Sequence, residues 1–137
     1  MFAGEVDLNT WYKPKIDKKT LKELSKRSDS KGLIDISIFI VALILSGYLC
    51  VVSWGTLWSI PALLLYGNIF YCKIISIQHE TNHETYFKTR ALNKFFYHIT
   101  SLLGGFEAVR WKWSHFHHHT YTIFTHEEVY DYENNSP

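Results

Sequence analysis

The stretch that most limits what this chain can fold into runs from Leu33 to Trp54. It reads Leu-Ile-Asp-Ile-Ser-Ile-Phe-Ile-Val-Ala-Leu-Ile-Leu-Ser-Gly-Tyr-Leu-Cys-Val-Val-Ser-Trp, and Asp35 is its single charge. Roughly twenty residues at about 1.5 Å each match the ~30 Å hydrocarbon core of a bilayer. Buried helices of soluble proteins seldom stay apolar on every face for so long. The stretch therefore predicts a transmembrane helix, with Asp35 at its start, within reach of the headgroups. Ser53-Trp54-Gly55-Thr56 predicts a short turn, and Trp54 and Trp58 suit an interfacial aromatic belt. A second apolar stretch follows from Leu57 to Tyr71, with Pro61 placed where a first helical turn or a kink accepts it. Lys73 marks its exit, and the same helix is expected to continue through Ile74, Ile75 and Ile77 into His79.

Two such helices make a hairpin whose open ends share one side. Lys13, Lys15, Lys18, Lys19, Lys22, Lys26, Arg27 and Lys31 precede it, Lys88, Arg90, Lys94, Arg110 and Lys112 follow it, and the outer turn has no basic residue. By the positive-inside rule the shared side is the cytoplasm. The expected class is an all-α membrane protein in three parts: a basic cytosolic leader (1–32), a transmembrane hairpin (33–78) and a cytosolic region (79–137). Lys19–Lys26 is expected as a short helix, in a leader that is either solvated or touching anionic lipid. Phe95–Val109 is apolar, too short to span and broken by Gly104-Gly105, which fits a helix lying in the interface plane. The tail from Glu127 to Pro137 is acidic and expected to be loop-like. A net charge of +1 gives no argument for nucleic acid. The polar N-terminus does not look like a secretory signal. Cys50 and Cys72 lie in apolar runs without CxxC spacing and are expected to be small buried residues.

The chemistry is carried by histidines. His79 and His83 are an i,i+4 pair, the spacing that lets two imidazoles on one helix grip one metal. His115, His118 and His119 fall within one narrow helical face, and His117 points to the other side. Neutral imidazole suits iron, zinc, copper and nickel. Five such nitrogens exceed what one tetrahedral zinc requires, so the pattern points to two metals. Glu80 and Asn82 are either groups that orient the ligand imidazoles or ordinary solvated residues. His98 is expected to be structural and His126 a surface residue, while Trp111, Trp113 and Phe116 are expected to anchor the second cluster at the interface rather than line an acyl tunnel.

Three metal chemistries compete. His79-Glu80-Thr81-Asn82-His83 fits the HExxH pattern of a zinc peptidase with Glu80 as base, but that pattern is short and leaves the His115 cluster unexplained. A carboxylate-bridged di-iron bundle needs a second Glu-x-x-His besides Glu80-x-x-His83, and the chain has none. The third chemistry is a histidine-rich di-iron centre at a membrane surface.

From His79 to Asp131 the chain resembles the integral-membrane fatty acid desaturase and hydroxylase superfamily. The resemblance rests on His79-Glu80-x-x-His83, Phe87-x-Thr89-x-x-Leu92-Asn93, Trp111, Ser114-His115-x-x-His118-His119 and Tyr121-Thr122. It implies that His79, His83, His115, His118 and His119 are ligands of two irons that activate O₂. It further implies a lipid acyl chain as substrate and an electron donor such as a b-type cytochrome or a ferredoxin with its reductase. Members of that superfamily are usually much longer and carry a second hairpin and a third histidine box. The expectation is therefore an N-terminal fragment, with a missing C-terminal half or a second chain completing the site; a degenerate, inactive short chain is the other alternative. A non-catalytic membrane metal-binding or adaptor protein is the rival from another class.

Overall fold

Ser28 sets the start of the first long helix: its hydroxyl accepts from the Lys31 N–H at 3.4 Å, an N-cap bond. The computed structural model of the chain describes residues 15–121. Among these residues it contains helices α1 (Lys18–Leu24), α2 (Asp29–Val52), α3 (Ser59–Asn82), α4 (Arg90–Gly104) and α5 (Ala108–Tyr121), and no strand. The expected all-α class is the one found. The short leader helix is α1, capped by Asp17 (Oδ2 to Thr20 N, 3.0 Å), and none of its residues is buried.

Helices α2 and α3 are each 24 residues long and apolar enough to cross a membrane. Most of their side chains are exposed rather than packed inside the protein, unlike the core helix of a soluble domain. Serine capping starts α2 four residues before the expected Leu33. The expected turn follows Val52, with Gly55 at φ +78° supplying the left-handed step. Thr56 then receives the Trp58 N–H on its hydroxyl (3.2 Å) and the Ser59 hydroxyl on its carbonyl (2.6 Å), which launches α3. Pro61 falls in the first turn of α3. Helix α3 continues unbroken through Asn82, so the apolar span and the first histidine pair share one rigid rod.

Cys50 is half-buried and Cys72 exposed, which corrects the expectation that both are buried. Phe95–Val109 is broken at the glycine pair, as expected. Gly105 takes φ +74°, ends α4, and lets Phe106 N–H reach the Ser101 carbonyl at 2.8 Å. Helix α4 also begins earlier than the apolar pattern suggested. It buries Asn93, Tyr97, Thr100 and Ser101 and leaves Phe95, Ile99, Leu102 and Leu103 exposed. A polar face turned inward and an apolar face turned outward is the arrangement a helix adopts beside lipid.

Asp35 is answered inside the protein. Lys73 Nζ lies 2.6 Å from Asp35 Oδ2, and the Tyr86 hydroxyl donates to the same oxygen. Burial and that neighbouring carboxylate raise the Tyr86 phenol well above its ordinary range. These contacts tie α2, α3 and the α3–α4 loop together. Below them Phe87, fully buried, packs against Ile36 and Ile77 and stacks with Phe96. A Cβ on Gly32 would come 2.6 Å from the Phe87 ring, so only glycine permits this approach.

Asn93 fastens the loop. Its Oδ1 accepts from Phe87 N–H (3.0 Å), and its Nδ2 donates to the carbonyls of Phe87 (2.9 Å) and Thr89 (3.2 Å). Replacing Asn93 by alanine strands buried backbone groups and is expected to cost about 2–3 kcal/mol. Thermal unfolding in detergent checks it, and Asn93→Asp, which keeps the acceptor, is expected to lose less.

Candidate metal centre

The site forms where the C-terminal end of α3 meets α5. His79 lies in the last turn of α3 and His83 is its C-cap. Glu107 starts α5, its carboxylate accepting from Val109 N–H (3.1 Å) and Arg110 N–H (2.5 Å). Those bonds hold the Glu107 carboxyl below the usual range. The Tyr97 hydroxyl donates to the Ala108 carbonyl at 2.5 Å and ties the start of α5 to α4. Helix α5 is thereby aimed so that His115 and His119, one turn apart, face the α3 pair.

Four imidazoles meet there. One ring nitrogen from each of His79, His83, His115 and His119 falls within 4.8 Å of the others. Nε2–Nε2 separations are 3.3 Å for His79–His83, 3.1 Å for His83–His115 and 3.0 Å for His115–His119. Nitrogens at about 2.1 Å from a common ion lie roughly 3.0 Å apart at a right angle and roughly 3.4 Å apart at the tetrahedral angle. The three separations fall within that interval, so neighbouring donors are spaced as around a shared metal ion. Burial first, then the imidazoles of His79, His115 and His119, hold His83 below its ordinary range against an opposing pull from Glu80. Neutral imidazole is the ligating form.

His115 is 6% exposed and stacks on Trp111, with ring centroids 4.5 Å apart and planes 13° apart. Trp111 thus braces a site histidine, which corrects the expectation of an interfacial anchor; Trp113 and Phe116 are exposed as an anchoring role requires. His118 lies outside the four-imidazole group, its ring centroid 5.8 Å from that of His115 and 5.6 Å from that of His119. His117 also lies outside it. His98 is exposed, and His126 and the acidic tail fall outside the described residues. Glu80 Oε1 stands 3.8 Å from His79 Nδ1, and Glu80 Oε2 accepts from the Thr85 hydroxyl at 2.7 Å. Trp111 stands four residues before His115, a spacing that makes them helical neighbours, and Glu107 just before the helix start carried a readable capping signal; the Tyr97 contact had no local signal.

A recess of about 410 Å³ opens beside the cluster, lined by Asn82, His83, Lys112, His115, Phe116 and His119. The sequence pattern of the fatty acid desaturase family matches residues 54–136, more than half of the chain, and covers both histidine clusters. No curated protein and no solved structure matches the chain. With both clusters inside the matched region and the four imidazoles gathered at one point, the chain belongs to the fatty acid desaturase family.

Proposed function

We propose that this protein serves the O₂-dependent desaturation of lipid acyl chains at a histidine-ligated di-iron centre. The observation that carries the reading is the four-imidazole cluster at the end of a helix long and apolar enough to span a membrane. An unactivated C–H bond offers no acidic proton and no group to polarise, so side-chain acid–base chemistry cannot break it; bound iron supplies the redox chemistry with O₂ that can. The balance is one alkyl –CH₂–CH₂– unit, O₂, two electrons and two protons giving –CH=CH– and two waters. His79, His83, His115 and His119 hold one iron. His118, beside that group, belongs to the second, whose remaining ligands come from further polypeptide. The site lies at the cytoplasmic membrane surface, where a b-type cytochrome or a ferredoxin with its reductase delivers electrons.

The zinc peptidase reading fares worse. A catalytic zinc keeps three protein ligands and an open position, whereas four imidazoles converge here. Glu80, its required base, is engaged by Thr85. The deciding measurement uses the chain together with the polypeptide that completes the second iron site, in lipid bilayers with ferrous iron, O₂, reductase and electron carrier. Reductant-dependent appearance of a double bond, lost in His79→Ala, is expected. Peptide hydrolysis lost in Glu80→Gln would overturn the reading, and so would iron binding with no reductant-dependent O₂ consumption, which favours the adaptor.

A further inference from the structure

We propose that Asn82 supplies its amide oxygen as a further donor to the metal held by His79, His83, His115 and His119, an inference that rests on the metal site proposed above. The two histidine segments have the same spacing: His79-x-x-Asn82-His83 on α3 and His115-x-x-His118-His119 on α5. Positions i, i+3 and i+4 share a helix face. Asn82 matches in place His118, which stands beside the four-imidazole group, so the spacing puts Asn82 next to the cluster and its buried oxygen carries the assignment. Asn82 lines the recess beside the cluster together with His83, His115 and His119. Its Oδ1 is buried and has no hydrogen-bond partner among the described residues. A buried carbonyl oxygen without a donor is costly, and a cation in the adjacent cluster removes that cost.

The donor type adds a chemical consequence. Four imidazoles complete a tetrahedral zinc site, whereas a fifth, oxygen donor exceeds what that geometry takes. The amide is neutral at every pH of interest, so it adds a ligand without adding charge. Lys112, exposed on the same recess, contributes a positive charge that disfavours a cation.

The test uses the whole 137-residue chain in detergent. Ferrous iron is titrated anaerobically against a competing chelator, and cobalt(II) absorption reports the ligand set. Asn82→Leu is expected to weaken iron binding about tenfold or more and to shift the cobalt bands, with helical content unchanged. Asn82→Asp, which keeps an oxygen donor, is expected to restore both. Asn82→Ala takes the place of the leucine variant if circular dichroism shows a loss of helix. Wild-type affinity and bands without the amide would overturn the assignment. So would an aspartate variant as weak as the leucine one, because the loss would then be one of packing. Absent wild-type binding, or binding indifferent to His79→Ala, overturns the histidine site itself and Asn82 with it, a failure distinct from the other two.

Discussion

Replacing His115 by alanine is expected to lower iron affinity by at least about 100-fold, beyond the range typical of losing a group that only orients a ligand. His115 is the middle of the cluster: its Nε2 lies 3.1 Å from that of His83 and 3.0 Å from that of His119. With His83 it bridges the α3 and α5 pairs. It is also the most buried of the four, held flat against Trp111. Loss of the ring removes a ligand and unseats its brace, and water entering the gap cannot replace an oriented imidazole. Iron content after dialysis, measured beside His98→Ala, checks the expectation. His98 is exposed and outside the cluster, so its variant is expected to bind as wild type. Equal iron in both variants would mean that the four rings do not form the site.

Phe87→Ala is expected to destabilise the fold by about 3–5 kcal/mol, the usual cost of emptying a core phenylalanine site. The Phe87 ring is completely buried where α2, α3 and α4 meet, and it fills the space that Gly32 leaves open. Gly32→Ala alone is expected to destabilise through overpacking, because its new methyl would lie 2.6 Å from the ring. In the Phe87→Ala background the same methyl enters a cavity, so the two effects should be strongly non-additive. Denaturant titration of the four proteins in detergent reads the coupling; additive costs would mean that Gly32 and Phe87 do not share this space. Metal affinity should fall less than stability does, since Phe87 touches the site only through the loop after His83.

Much of this architecture was readable along the chain because it follows from local periodicity. The bilayer-length apolar runs, the turn at Gly55 and the helical spacing of His79/His83 and His115/His119 each depend on a few neighbouring residues. Helix ends were read less well. Ser28 sets the start of α2 through one side-chain hydrogen bond and Glu107 that of α5 through two, none of which the apolar pattern records, whereas the break at Gly105 was legible as a glycine pair. Apolar content records which residues avoid water, whereas caps decide where the backbone turns. The inverted α4, polar inside and apolar outside, shows the same limit: composition located the helix but not the face it buries.

The sequence by itself determined the all-helical hairpin, the family, and which histidines share a helix face, since a 3.6-residue period fixes neighbours within one helix without reference to any other. Only the tertiary structure decided that His79 and His83 meet His115 and His119 while His118 stays outside their group. It likewise decided that Asp35 is neutralised by Lys73. Each of these joins residues on different helices or across a turn between them. Their distances depend on the angle at which helices cross, and that angle is set by contacts such as Gly32 against Phe87 and Tyr97 against the start of α5.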